Sequence, residues 1–440
     1  MNTTASLGRR AKPDAEPQGN RKRVLMVAFH YPPCFGSSGV LRTLKFSRYL
    51  PGEGWDPVVL TANPRAYQAV NPAQLGEIPE EVEVARAFAL DSRRHLAIRG
   101  KSLGLTAIPD QWSTWVAGAV PRGLRLLRRY RPEAIWSTYP IASAHLIGLL
   151  LHRLSGIPWV ADFRDMMLDE AYPRARSTRL AHRWIERHVV TNAARLVFTA
   201  PSTEQLYLYR YPTLERARCQ VIRNGYDEVD FADLSPRPST RAPDDQPVRL
   251  VHSGLIYEEE RDPRPFLRTL ARLRGDGLVR AASLRVDLRA SGSEERFRGL
   301  VRDMGLGEIV HLLPPLPYRE ALRDSADASA LLILQGPSCD RQIPAKAYEY
   351  LRMGKPILGL TTRDGDTGRL LAECGGTTLL PLLDEEALYG GLPAFLDAVR
   401  RHRHPVPDPA ATARYARQYQ AKELAACLDQ VAVGVGARST

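Results

Sequence analysis

At 440 residues the chain is longer than one hydrophobic core normally supports, so two domains of roughly 200 residues are expected. Hydrophobic residues at 44% and charged residues at 25% exclude a disordered chain, while five widely spaced cysteines without CxxC or ligand-spaced His exclude a disulfide framework and a structural zinc. The formal charge of +12 asks for an anionic partner: nucleic acid, an acidic membrane surface or a phosphorylated substrate. The arginines are dispersed and no helix-turn-helix, RNP or zinc-finger signature accompanies them, which sets nucleic acid aside.

Residues 1–23 are polar, carry Arg9, Arg10, Lys12, Arg21, Lys22 and Arg23, and hold no apolar core. A disordered basic tail is therefore expected over 1–20 rather than a signal peptide. From Arg23 to Phe29 an apolar run of strand length leads into His30-Tyr31-Pro32-Pro33-Cys34-Phe35-Gly36-Ser37-Ser38-Gly39. Val40, Leu44, Ser47 and Leu50 then mark one face of a helix, and Pro51-Gly52-Glu53-Gly54 stops it before a strand over 55–61. Arg122, Arg125, Arg128, Arg129 and Arg131 recur at near-helical spacing, a pattern shared by a solvated helix face and by a helix lying on an anionic leaflet. Residues 134–151 are uncharged but broken by Ser137, Thr138, Pro140, Ser143 and His145, so they read as a buried strand, a turn and a helix rather than a membrane span. Strands over 158–162 and 195–199, with a helix over 179–192 between them, continue the alternation.

A short strand over 219–222 leads to Asn224-Gly225-Tyr226-Asp227, and 228–246, rich in Pro, Asp and Arg toward its end, is the predicted linker. A second α/β series follows, with strands over 248–254, 284–290, 310–313, 330–334 and 356–360. The result is two doubly wound parallel-sheet domains, 21–227 and 247–409, with a terminal helix within 410–440 expected to return to the first domain. Ligands in open α/β sheets sit beyond the carboxyl ends of the strands, so the cleft between the halves is the expected site.

The strongest chemical signal runs from Ile343 to Leu358. Pro344 suits the first turn of a helix and Gly354 its C′ position, before Lys355-Pro356 and the next strand. Lys346 and Glu349 are three apart, hence on one face near the N-terminus. Exposed N–H groups and the helix dipole favour phosphate there, the ammonium adds charge, and a carboxylate accepts both hydroxyls of a ribose. The bland reading of the same residues is a surface ion pair.

This segment resembles the donor-site helix of family-4-like glycosyltransferases, in which Ile-Pro-x-Lys-x-x-Glu-Tyr precedes Gly-x-Pro. The resemblance extends along the chain: Tyr31-Pro32-Pro33 with Gly36 to Gly39 is similar to the family's first glycine loop, Asn224-Gly225-Tyr226-Asp227 to its interdomain Asn-Gly-x-Asp, and Ser253-Gly254-Leu255 to the first strand end of the donor domain. It implies a GT-B architecture, two Rossmann-like domains facing a central cleft, and a metal-independent enzyme without cofactor that transfers a sugar from a nucleotide-diphosphate donor with retention of configuration. It also implies a glycan or lipid-linked acceptor, work in surface or exported polysaccharide synthesis, and a cytoplasmic location, with peripheral contact to an anionic inner membrane face.

Carried over by position, the resemblance makes Glu349 the ribose ligand and Lys346 with Arg261 the diphosphate contacts, Arg264 being the competing candidate for Arg261. Gly36, Ser38, Gly39, Gly254 and Pro344 complete the donor-binding set. Two departures stand out. Relatives often have a glutamate eight positions before Glu349, where this chain has Arg341, and Arg164 stands where many have histidine. Asp162 and Asp165 beside it are candidates to orient the acceptor hydroxyl, or else serve as helix caps and turn formers. A dinucleotide-dependent oxidoreductase is disfavoured because Gly36-Ser37-Ser38-Gly39 lacks the Gly-x-Gly-x-x-Gly spacing. An epimerase or hydrolase of the same fold, and a non-catalytic nucleotide-sugar-binding partner, remain as alternatives.

Overall fold

The computed structural model describes residues 21–36, 39–98, 101–102, 107–169, 172–234 and 246–436. The tail expected over 1–20, Ser38 and most of the expected linker lie outside them.

The first half runs β1 (Lys22–Val27), α1 (Gly39–Tyr49), β2 (Trp55–Ala62), β3 (Glu83–Ala87), α2 (Ser92–His95), β4 (Ala97–Ile98), β5 (Lys101–Ser102), α3 (Thr114–Tyr130), β6 (Ala134–Thr138), α4 (Ala142–Ser155), β7 (Trp159–Phe163), α5 (Arg176–Asn192), β8 (Arg195–Phe198), α6 (Pro201–Arg210), β9 (Cys219–Val221) and α7 (Glu228–Phe231). The second runs β10 (Val248–Ser253), α8 (Glu258–Arg261), α9 (Arg264–Gly275), β11 (Leu284–Arg289), α10 (Glu294–Asp303), β12 (Val310–Leu313), α11 (Tyr318–Ala326), β13 (Ala330–Leu334), α12 (Ala345–Met353), β14 (Ile357–Leu360), α13 (Asp366–Cys374), β15 (Thr377–Leu380), α14 (Glu385–Arg400), α15 (Pro409–Ala413) and α16 (Arg417–Gly436).

Seven strands form one parallel sheet in the order β3-β2-β1-β6-β7-β8-β9, and six form another in the order β12-β11-β10-β13-β14-β15; β4 and β5 pair separately. Each large sheet reverses direction of growth beside its first strand, between β1 and β6 and between β10 and β13. The central strands are apolar because both faces are covered: β6 (Ala-Ile-Trp-Ser-Thr) and β13 (Ala-Leu-Leu-Ile-Leu) are buried throughout. The expected strand over 55–61 is β2, and residues 134–151 do form a strand, a turn and most of a helix. Strand β3 was not read from the sequence, since Glu-Val-Ala-Arg-Ala on the sheet edge carries two charges in five residues. The segment assigned to the linker begins with a short helix, α7.

Helix α16 packs on α1 and closes one face of the first sheet. Its Ala421, Leu424, Ala425, Cys427, Leu428 and Val431 share a core with Val24, Met26, Leu44, Phe46 and Trp136. Full burial of the Leu, Val, Met and Phe side chains among them contributes about 1.5–3 kcal/mol each. Among the described residues no helix is long and apolar enough to cross a membrane.

The carboxyl edges of the two sheets meet. Asp366, opening α13 after β14, accepts hydrogen bonds from the backbone N–H (3.1 Å) and hydroxyl (3.0 Å) of Ser202 in the first turn of α6, after β8. Thr203 Oγ1 donates to the Arg341 carbonyl at 3.0 Å, and Arg174 pairs with Glu259 of α8 at 2.9 Å. All of these residues lie on loops or helix starts that follow strand ends, which is where such folds place ligands.

Candidate functional site

The site is built on the first turn of α12, beside the β10/β13 switch point. Pro344 is the N-cap of α12, one position earlier than a first-turn proline, and Gly354 ends the helix in the left-handed conformation at φ 64°. The loop before the helix is set by Gln335, whose side-chain amide donates to the carbonyls of Cys339 (3.0 Å) and Gln342 (3.1 Å). Two residues one turn apart dock the helix on β10. The Tyr350 hydroxyl accepts from the Ser253 N–H at 2.9 Å, and Lys346 Nζ lies 2.9 Å from His252 Nε2.

Gly254 leaves room for that lysine. Its φ of +114° is a conformation that side chains avoid, and a Cβ there would stand 3.0 Å from Lys346 Nζ. Burial lowers the Lys346 ammonium to about 7, the nearby Arg261 guanidinium pushes the same way, and Glu349 opposes both. Glu349, one turn on, accepts a hydrogen bond from the Tyr318 hydroxyl of α11 at 2.7 Å. Burial raises its carboxyl above the ordinary value; Tyr318, Arg417 and Lys346 hold it down, and Asp230 pushes it up.

The structure distinguishes the two competing arginines. Arg261 is the last residue of α8 rather than the opening of a helix. The Gly336 N–H donates to the carbonyl of neighbouring Glu260 at 2.7 Å, seating α8 against the end of β13. Arg261 spends one N–H on the Leu255 carbonyl at 3.3 Å, and its Nε is buried without a hydrogen-bond partner. Arg264 opens α9, is half exposed and grips Asp262 in a fork of 2.7–2.9 Å. Arg261 thus joins Lys346, and Arg264 points to a neighbour of its own.

Across the junction the two candidate aspartates part ways. Asp162 is fully buried: Arg42 donates to both its oxygens, at 2.7 and 3.0 Å, and Thr138 adds a third bond at 2.7 Å. Arg42 also donates to the carbonyls of Ile222 and Arg223, so the pair ties β7, α1 and the exit of β9 together. This departs from an acceptor-orienting Asp162, because the carboxylate has no face left for a substrate. Asp165 remains partly accessible, accepts no hydrogen bond among the described residues, and is raised by burial, with Glu260 of the second domain adding to the rise. Arg164 opposes that rise, and the Arg174–Glu259 pair carries the loop after β7 to α8. Arg164 beside it has a buried Nε without a partner, and His30 at the end of β1 is lowered to about 3 by burial and by Arg164, hence neutral. Gly36 (φ +83°) lies on the loop between β1 and α1, and Gly39 opens α1, both on the first-domain side.

The site therefore gathers Lys346, Arg261, Glu349, Gly254 and Pro344 on the second domain, while Asp165 lies just past the end of β7 in the first. Sequence reasoning missed His252, Tyr318, Tyr350 and Arg417. Of these, Tyr350 left a signal as the tyrosine that closes the Lys-x-x-Glu-Tyr pattern, and His252 as a polar residue in an otherwise apolar strand.

Comparison with known proteins agrees with this fold. Residues 39–225 match the family described as a glycosyl transferase 4-like domain. The chain is 25% identical over 359 residues, 76% of this chain and 79% of the relative, to a 2-deoxystreptamine N-acetyl-D-glucosaminyltransferase from Streptomyces fradiae. Among solved structures it superposes on a glycosyltransferase from Rickettsia africae with a TM-score of 0.65 at 10% identity, covering 94% of this chain and 99% of that one. Sucrose-phosphate synthase from Thermosynechococcus elongatus gives 0.59 at 16% identity, with 95% and 98% covered. An Anabaena protein in complex with UDP and glucose gives 0.57 at 12% identity, with 95% and 99% covered. With its two parallel sheets the chain has the GT-B fold, and its residues 39–225 are similar to the glycosyl transferase 4-like domain.

Proposed function

We propose that the chain transfers a sugar from a nucleoside-diphosphate donor held by α12 and α8. The observation that carries the reading is Lys346 in the first turn of α12, with Arg261 acting on it from the end of α8, surplus donors on both cations, and Glu349 one turn further along the same helix. Lys346 and Arg261 would take the two phosphates, helped by the N–H groups of the helix start, and Glu349 the ribose hydroxyls. In the reaction the bond between the anomeric carbon and the diphosphate oxygen breaks, and an acceptor oxygen bonds to the same carbon. The cations stabilise the charge that grows on the leaving diphosphate, which is the largest contribution such a site can make. The acceptor proton passes to the departing phosphate oxygen, with the acceptor on the leaving-group face and configuration retained. Asp165, partly exposed just past the end of β7, would orient the acceptor hydroxyl. The reading uses no metal and no cofactor beyond the donor.

For the acceptor, the family resemblance favours a glycan or lipid-linked sugar in polysaccharide synthesis at the inner membrane face. The Streptomyces fradiae relative supports a second reading, a small aminocyclitol or a molecule like it, with N-acetylglucosamine as the sugar. Calorimetric binding of UDP, GDP, ADP and dTDP to the wild-type protein and to Glu349→Ala tests the donor site. One diphosphate is expected to bind, and the variant to lose roughly 1–3 kcal/mol, as for removal of a charged hydrogen-bond partner. No binding, or equal binding by the variant, refutes the assignment and favours a partner protein without turnover.

A further inference from the structure

The cation at the centre of the site is held by a neutral ring. Lys346 Nζ lies 2.9 Å from Nε2 of His252, and the other ring nitrogen, Nδ1, lies 2.9 Å from the Leu332 carbonyl on the neighbouring strand. A carbonyl only accepts, so Nδ1 carries the proton and Nε2 presents a lone pair. Lys346 is therefore the donor in the pair. His252 has no exposed surface, and it is fixed on β10 at the switch point of the second sheet.

We infer that His252 is the positioning residue of the donor site, accepting one N–H of Lys346 so that the remaining N–H groups face the diphosphate. The inference rests on the donor-site reading above and adds to it a residue that touches no ligand. A carboxylate at this position would hold the lysine equally well but would neutralise it and compete with the phosphates. An imidazole fixes its direction and leaves its charge unspent. Gly254 supplies the space, since any larger residue would meet Nζ.

The other charged groups acting on the pair are Arg261 from α8, which bears on both members, and Glu349 from α12, which bears on Lys346. Lys346 thus sits among neighbours that resist its protonation more than they favour it, and an incoming diphosphate reverses the balance. Binding should accordingly take up a proton on the alkaline side of about 7.

The test is calorimetry of UDP, GDP, ADP and dTDP, on both sides of about pH 7 and in buffers of different ionisation enthalpy. The proteins are the wild type, His252→Phe, Lys346→Met and the double variant. His252→Phe is expected to lose about tenfold or more in affinity and to shift proton uptake to lower pH. On the Lys346→Met background it should change affinity less than about twofold, because the two residues act as one unit. Equal losses on both backgrounds with unchanged proton uptake mean a merely structural histidine and overturn the inference, as does a wild-type response from His252→Phe. Should the Phe variant fail to fold, nitrogen NMR of the unaltered protein decides: an Nδ1–H tautomer for His252 at neutral pH supports the pair, and an imidazolium or Nε2–H tautomer overturns it. If the wild type binds none of the diphosphates, the donor-site reading falls first and takes this inference with it. If Glu349→Ala weakens binding while His252→Phe does not, only this inference falls.

Discussion

Asp162 and Asp165 are three residues apart, yet their exchange for asparagine should produce opposite results. Asp162→Asn keeps the shape and the bond from Thr138 but leaves the Arg42 guanidinium, itself only 1% exposed, without its counter-charge. Removing one partner of a buried ion pair costs about 3–5 kcal/mol, and the retained hydrogen bonds to the Ile222 and Arg223 carbonyls put this case near about 3 kcal/mol. For a unit of this size the corresponding fall in melting temperature is roughly 6–12 °C, read by scanning calorimetry. Asp165→Asn removes a carboxyl whose proton affinity burial has raised. A folded state that binds its proton more tightly than the unfolded chain is favoured by that group at low pH and loses the benefit as pH rises past the unfolded carboxylate range. The Asn variant should therefore match the wild type in acid and melt higher at neutral pH, while sugar transfer falls by roughly 10²-fold as the acceptor hydroxyl loses its orienting carboxylate. An Asp162→Asn protein that melts with the wild type but has lost transfer would refute the division of roles.

Three further outcomes follow from the same geometry. Arg261→Ala should weaken diphosphate binding by about 1.5–3 kcal/mol, as for a hydrogen bond to a charged group, whereas Arg264→Ala, whose fork is spent on Asp262, should stay within about 0.5 kcal/mol in the same titration. Gly254→Ala combines a φ of +114° with a Cβ 3.0 Å from Lys346 Nζ; a stability loss of about 1–3 kcal/mol by denaturant unfolding should come with weaker diphosphate binding. Asp366→Ala removes the carboxylate that caps α6 across the domain junction, at about 1 kcal/mol, and small-angle scattering should show a wider spread of interdomain arrangements than in the wild type.

Most of the fold was legible because parallel strands covered on both faces are plain apolar runs, as in Val24–Leu25–Met26–Val27 or the five buried residues of β13. Edge strand β3 escaped because an edge tolerates Glu83 and Arg86, and its pattern no longer separates it from a loop. The Lys346/Glu349 pair was legible for a local reason: both lie within one turn of a helix whose ends are marked by Pro344 and Gly354. His252 is 94 residues away from Lys346, and a histidine in a strand has many other uses. Asp162 shows the same limit from the other side, since the arginine that consumes it is 120 residues away. The choice between Arg261 and Arg264 depended on Asp262 and on the end of α8, neither of which follows from helical spacing.

The net charge of +12 takes on a more specific meaning once the partners of the cations are known. Arginines on the second domain are mostly answered: Arg249 by Asp287 and Asp324, Arg289 by Asp324, Arg264 by Asp262, Arg268 by Glu385, Arg272 by Glu386 and Arg296 by Glu258. Lys346 and Arg261 depart from that pattern. The first is matched with a neutral imidazole, and the second has its nearest carboxylate, Glu260, only at 3.9 Å and a buried Nε with no acceptor. Burying a cation without a counter-charge costs stability, so two such groups side by side need an external anion to offset them. A diphosphate offers two charges to two cations beside a helix start, and a nearby carboxylate that would repel it, Glu349, lies a turn further on, where ribose hydroxyls rather than phosphates would meet it. The surplus charge on this face is thus better accounted for by a nucleoside diphosphate than by a nucleic-acid or membrane surface, which exposed arginines such as Arg128 and Arg129 of α3 could serve without any buried site.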